Sequence, residues 1–193
     1  MTSQTRLVPV LEGDMVRLRP LGPQDADAMW DGLDDAESMR LTGTTATFTR
    51  EQIDEWAATI ADRPGRFDWA ITHDGDAYRG EIVLNNLDDD ARSATLRLAV
   101  DAGHRGRGYG REAMQLVLRF AFAPPPEGLG LHRVGLDVLS INPRAQSLYE
   151  SLGFVVEGRQ REVYPDPDHP GRWADAIIMG MLDEDFEAAS ADW

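Results

Sequence analysis

Two short stretches of this chain combine residue types that could do chemistry. The first is Arg105-Gly106-Arg107-Gly108-Tyr109-Gly110, followed by Arg111. Glycines permit tight backbone angles and let a ligand approach main-chain N–H groups. Where such a turn opens a helix, the unpaired amides of the first helical turn favour an anion. Arg105, Arg107 and Arg111 add positive charge in a chain whose formal net charge is −15. A local reversal of sign of this kind is what a pyrophosphate group needs. The second stretch begins at Asn142-Pro143-Arg144 and reaches Tyr149. On a helix, Asn142, Ala145 or Gln146, and Tyr149 share one face. The Tyr149 phenol can donate a proton, with packing as its alternative role. Capping by itself accounts for Asn142.

Gly108-x-Gly110-x-x-Ala113 also fits the Ala variant of the dinucleotide-binding fingerprint. That motif should open a series of alternating strands and helices. Here three strand-like segments, mostly joined by short turns, precede it. One strand–helix–strand unit follows, and then antiparallel-looking strands, so the context disfavours that reading.

The elements that must position these residues show in the hydrophobic periodicity. Residues 15–19, 67–72, 78–87 and 95–100 read as strands; in the last, Leu96, Leu98 and Val100 alternate with Arg97 and Ala99. Helical segments are expected after Pro23, over residues 36–41, and after Thr49, which forms a capping box with Gln52. The glycine-rich turn starts a helix that runs to about Phe122. Residues 133–139 form a strand, with Val134, Leu136 and Val138 on one face. Asn142 caps the next helix, Pro143 suits its first position, and Gly153 ends it. Residues 154–164 and 173–182 read as two closing strands.

Composition fits this plan. The chain has 193 residues, 42% of them hydrophobic, enough for one domain spanning 1–193 with its own core. Residues 1–14 and 184–193 are expected to be flexible or peripheral. No apolar run is long enough to cross a membrane, and the first residues do not read as a signal peptide, which makes the cytoplasm the expected compartment. The chain has no cysteine, which excludes a cysteine nucleophile, thiolate metal sites and disulfides. Its four histidines lack a ligand spacing, so no metal is expected. The acidity disfavours DNA as a partner and would attract a cationic substrate, although solubility alone also accounts for it.

Taken together, Arg-x-x-Gly-x-Gly opening one helix, then Asn-x-x-Ala-x-x-x-Tyr followed by Gly153-Phe154, resembles the cofactor-binding core of the GCN5-related N-acetyltransferases (GNAT). Leu131-His132-Arg133-Val134, Asn142-Pro143-Arg144-Ala145 and Tyr149-Glu150-Ser151-Leu152-Gly153-Phe154 are similar to the branch containing ribosomal-protein N-terminal acetyltransferases. The resemblance is strong from residue 94 to 182 and fades toward the N-terminus. It implies an α+β fold, a mixed and mostly antiparallel sheet flanked by helices, in which two neighbouring strands splay apart. Here those strands would be 95–100 and 133–139.

The resemblance further implies transfer of an acetyl group from acetyl-CoA to a primary amine by direct attack. The acceptor would be a small amine, an antibiotic-like amine or a protein N-terminus. Backbone groups of Leu98, Ala99 and Val100 would meet the pantetheine arm. Arg105, Gly106, Arg107, Gly108, Tyr109, Gly110 and Arg111 would hold the pyrophosphate, with Asn142 and Arg144 from the next helix. Tyr149, with Asn142 beside it, would be the catalytic group and proton donor. The glutamate that many relatives use as base falls at Thr95, and threonine is far too weak for that task at neutral pH. A water chain, Glu81, Asp137 or His132 could replace it. The acceptor site would draw on residues 30–48, 51–61 and 164–173, with Asp34, Asp35 and Glu37 available to attract a cation. The same fold could instead serve a longer acyl-CoA, an aminoacyl-tRNA, or non-catalytic acyl-CoA binding. Relatives of this kind are monomers or homodimers.

Overall fold

The computed structural model describes residues 7–166, 169, 171–191 and 193. Among them, eight strands form one sheet: β1 (Leu11–Glu12), β2 (Arg17–Pro20), β3 (Phe67–Thr72), β4 (Tyr78–Asp88), β5 (Ser93–Val100), β6 (Arg133–Leu139), β7 (Val155–Pro165) and β8 (Trp173–Leu182). Their spatial order is β1-β2-β3-β4-β5-β6-β8-β7. Every pairing is antiparallel except β5 with β6. The helices are α1 (Ala26–Gly32), α2 (Ala36–Leu41), α3 (Arg50–Thr59), α4 (Tyr109–Phe122), α5 (Pro143–Ser151) and α6 (Asp183–Ser190).

Local chemistry accounts for the helix starts that matter here. At α3, the Thr49 amide donates to Gln52 Oε1 at 2.8 Å, and the Gln52 amide donates to Thr49 Oγ1 at 3.3 Å. At α5, Asn142 Oδ1 accepts from the Ala145 amide at 3.1 Å, and Pro143 takes the first helical position, where a missing N–H costs nothing. Helix α4 buries Ala113, Met114, Val117, Leu118 and Ala121 in one stripe. That stripe packs on a sheet face made by Leu18, Trp69, Ile82, Leu84 and Leu96. Full burial of each large apolar side chain contributes roughly 1.5–3 kcal/mol before the entropy of ordering it is counted. Helices α1 and α3 cover the opposite face through smaller clusters around Leu21, Ile60 and Ala70, and around Ala26, Ile53 and Ala57.

Two elements were not apparent from the sequence. Strand β1 has two residues, too few to show a period, yet it pairs with β2. Helix α6 opens on Asp183-Glu184-Asp185, which reads as a solvated acidic tail. Those acids lie in its first turn, where the helix dipole favours them, and Asp185 accepts from the Leu182 amide at 2.9 Å. Phe186 stacks on Phe122 at 4.8 Å, and Trp193 meets Phe186 edge-on. Residues 7–14 and 184–193, expected at the periphery, therefore add a strand and a helix to the domain; residues 1–6 and 192 lie outside the described residues.

The feature that positions the site is a parting of two strands. β5 and β6 pair only at Ser93 with Arg133, Ala94 with Val134, and Thr95 with Gly135. Beyond Thr95, β5 stays with β4 as far as Val100, while β6 stays with β8 as far as Leu139. A gap opens between them, as the family resemblance implied. Opposite Thr95, the β4 register shifts between Asn85 and Asp88, and Asn86 takes a left-handed φ of 52°. Such bulges re-aim side chains beside functional sites.

Candidate active site

The gap between β5 and β6 widens into a cavity of about 870 Å³. One wall is built from β5, the glycine-rich turn and the starts of α4 and α5. Leu98, Ala99, Val100, Gly106, Gly108, Gly110, Arg111, Asn142, Arg144 and Tyr149 all line the cavity. The main-chain edge of β5 beyond Thr95 has no ladder partner on the β6 side among the described residues, so its polar groups, apart from the Val100 carbonyl bonded by Arg105 Nε, are available to an extended ligand.

The glycine-rich turn explains itself at two positions. Gly108 caps α4 with φ 94°, and among the described residues no side chain is hydrogen-bonded to the first amides of that helix. Gly106 has φ 76°, a conformation that favours glycine, and a Cβ there would stand 2.7 Å from the mobile end of Arg144, which would have to shift. Arg111 donates to Ser151 Oγ at 2.5 Å and ties α4 to α5. Exposed amides, Arg111 and Arg144 together form a cationic cradle. This cradle and the bare β5 edge fit a ligand with a pyrophosphate at one end and an amide-bearing arm at the other, as in CoA.

Four of the expected cofactor residues carry other constraints, beginning with Arg105, which also lines the cavity. The Arg105 guanidinium donates to Asp35 at 2.8 Å, to Glu37 at 3.0 Å, to the Ser38 hydroxyl, and through Nε to the Val100 carbonyl at 3.0 Å. Its charge thus braces the turn against α2, because two carboxylates offset it locally. Tyr109 is buried, its ring 4.6 Å from that of His73 and 6.3 Å from that of His104. Only its backbone can serve a ligand. Arg107 is exposed and does not line the cavity. Asn142 spends its side-chain oxygen on the helix cap, which leaves only its side-chain NH2 for a ligand.

Tyr149 lies where α5 meets the gap and is 8% exposed. Burial pushes its phenol up to about 12, with the charge of Asp137 adding to the effect. It stays protonated across the physiological range and keeps its O–H as a hydrogen-bond donor.

The other wall comes from α2, β4, β5 and β6. Glu37, Arg40, Thr42, Asn85, Asn86, Thr95, Arg97, Asp137 and Tyr164 line it. Of the three bases considered from the sequence, Asp137 alone reaches the cavity. Glu81 sits within β4 opposite Ala99; burial and Asp68 raise its carboxyl, and Arg97 opposes them. His132 lies at the foot of β6, its Nδ1 3.1 Å from Asp183 Oδ1. Asp35 and Glu37 are ion-paired with Arg105, which weakens them as a lure for cations, and Asp34 is exposed away from the cavity. Ser38, together with Arg105, holds the Asp35 carboxyl below its usual range.

Helix α3 contributes no lining residue and serves instead to pack α1. Tyr164 does line the cavity and covers Gly43, where a Cβ would stand 2.9 Å from the ring. Trp173 is 55% exposed. In the loop after Tyr164, Pro167, Asp168 and Pro170 lie outside the described residues. Sequence reasoning missed Asn85, Asn86 and Arg97. Arg97 looked like an ordinary outward strand residue. The pair Asn85-Asn86 just before an Asp-rich turn was the available sign of a bulge.

No helix among the described residues is long and apolar enough to cross a membrane. The Acetyltransferase (GNAT) domain family matches residues 16–155. The chain is 36% identical over 107 residues to the spermidine N(1)-acetyltransferase of Vibrio cholerae, covering 55% of this chain and 58% of that one. It is 32% identical over 126 residues to the [Ribosomal protein bS18]-alanine N-acetyltransferase of Escherichia coli, covering 64% and 77%. A putative acetyltransferase from T. thermophilus superposes with a TM-score of 0.78 at 28% identity, over 97% of this chain and 96% of that one. With a family match across most of its length and that family's parted strands in its sheet, the chain belongs to the GNAT acetyltransferases.

Proposed function

We propose that this protein transfers an acetyl group from acetyl-CoA to a primary amine by direct attack of the amine on the thioester. The observation that carries this reading is the gap between β5 and β6, with a cationic glycine turn at one end and a protonated, buried tyrosine beside it. The amides that open α4, with Arg111 and Arg144, hold the pyrophosphate. The bare edge of β5 at Leu98, Ala99 and Val100 aligns the pantetheine arm, and a main-chain N–H near Ala99 polarises the carbonyl.

An ammonium must lose a proton before its nitrogen can attack. Asp137, exposed at the rim of the cavity, accepts that proton directly or through one water. As the C–S bond breaks, negative charge collects on sulfur, and Tyr149 donates to it. An ordinary thiol has a pKa of about 8.5. A phenol near 12 therefore yields its proton to that sulfur only against a gradient. Tyr149 works chiefly as a hydrogen-bond donor whose strength grows as the charge builds. The chain has no cysteine to form an acyl-enzyme on sulfur, which also favours direct transfer.

The test is release of CoA thiol across a panel of small amines and N-terminal peptides, read with a colorimetric thiol reagent and confirmed by product mass. A cysteine-free protein adds no background of its own. Acceptor-dependent release with a product heavier by one acetyl group is the expected result. Saturable CoA binding with no transfer to any amine would overturn the catalytic reading, and no CoA binding would overturn the assignment of the glycine turn.

A further inference from the structure

The wall opposite the glycine turn carries charges that acetyl-CoA does not explain. β5 and β6 last pair at Thr95 and Gly135. Side chains alternate along a strand, so the next residues on that same face are Arg97 from β5 and Asp137 from β6. They occupy opposite rims of the opening, both line the cavity, and both are exposed. Among the described residues, neither has a hydrogen-bond or ion-pair partner. The strands have parted, so a cation and an anion face each other across space that a substrate could fill. Beside them, the β4 bulge brings Asn85 and Asn86 to the same cavity. Asn86 reaches Thr95 Oγ1 at 3.5 Å, and the Asn85 side-chain oxygen is buried with no donor.

We infer that the acceptor is a primary amine that also carries a carboxylate, its ammonium held by Asp137 and its carboxylate held by Arg97. The inference rests on the acetyl-transfer reading above and names its substrate class. It runs against the cationic acceptor suggested by a net charge of −15. Bulk charge is screened beyond about 8 Å at physiological ionic strength, whereas Arg97 and Asp137 act at contact. A polyamine would set a second ammonium near Arg97, a like-charge contact that counts against it. A carboxylate there gains a charge-assisted bond that a guanidinium can make bidentate. A free amino acid and a peptide N-terminus with an acidic neighbour share this chemistry.

The experiment compares matched pairs: amino acids with their amides, and short peptides bearing Asp or Glu at the second position with their Asn or Gln counterparts. Spermidine is included as the polyamine. Each compound is measured both in acetyl transfer and in equilibrium binding to the CoA-loaded protein. We expect the carboxylate member of at least one pair to exceed its amide by about tenfold in kcat/KM and in binding. Arg97→Gln should abolish that ratio, and Arg97→Lys should keep part of it, with acetyl-CoA affinity as in the parent. The pair that shows the effect separates a free amino acid from a peptide. Equal use of carboxylate and amide, or preference for spermidine, overturns the inference and leaves acetyl transfer standing. Carboxylate-selective binding that Arg97→Gln removes, with no transfer to any amine, upholds the Arg97 carboxylate subsite but overturns its occupant as an acetyl acceptor, together with the transferase reading.

Discussion

The two walls of the gap are made in different ways. The wall that faces acetyl-CoA comes from three short stretches, 98–100 at the end of β5, and 105–111 and 142–149, each at the start of a helix. Its groups are main-chain amides, glycines and arginines held by local geometry. The acceptor wall is assembled from α2, β4, β5, β6 and the end of β7, elements separated by up to a hundred residues or more. It gets its character from a bulge, from a strand register and from which side chains remain unpaired. A site for an invariant ligand can be encoded in a short motif, because backbone geometry recognises a phosphate wherever a helix begins. A site for a variable ligand is distributed, so single substitutions can retune it without disturbing the cofactor.

That contrast can be broken most severely at the residue between the walls. Tyr149→Phe removes the donor to sulfur and nothing else. Loss of one such donor costs about 100- to 1000-fold in kcat, while acetyl-CoA affinity by calorimetry should barely move. A variant that turns over normally would remove Tyr149 from the chemistry. Because the phenol is held near 12, the parent should also show no loss of rate as pH rises from about 7 to 10. A decline in that range would point to another group.

On the acceptor side, Asp137→Asn should lower kcat/KM for the amine by about 100-fold and leave acetyl-CoA binding intact. The rate that remains should climb with pH as the free amine becomes available. An unchanged kcat/KM would leave proton removal to water alone. On the cofactor side the effect should be smaller and of opposite kind. Gly108→Ala forces an L side chain to φ 94°, at a cost of about 1–2 kcal/mol, and sets its Cβ 3.0 Å from the flexible end of Met15. Acetyl-CoA affinity should weaken by roughly tenfold, with kcat nearly restored at saturation. If Asp137→Asn instead weakens acetyl-CoA, or Gly108→Ala changes acceptor choice, the walls are not independent.

Legibility followed the same division. α2, β3, α4's end, β6, β8 and the Asn142 cap could be read from residue type and period, because each is decided by neighbours a few positions away. Arg105 illustrates the limit. Its sequence context makes it a phosphate ligand, and in the structure it lines the cavity while its guanidinium is also bonded to Asp35 and Glu37, some seventy positions earlier. Arg97 looked like an outward residue of a half-buried strand, and Asp137 was one of three candidate bases. They become a pair only because β5 and β6 run parallel in register through Thr95 and Gly135 and then separate. Glu81, His132 and Asp137 were equal candidates by residue type, and only position relative to the gap told them apart.

By itself, the sequence determined the secondary structure of the central sheet, the glycine-led start of α4 and the placement of Tyr149 on a helix that follows a strand. Local propensity, capping and hydrophobic period are properties of short windows, and they sufficed for these. The parting of β5 from β6, the bulge at Asn85, the use of the Arg105 charge and the charged rim of the acceptor wall were decided by tertiary structure. Each depends on which distant groups come within a few ångströms, and contact of that kind has no period that a linear chain can display.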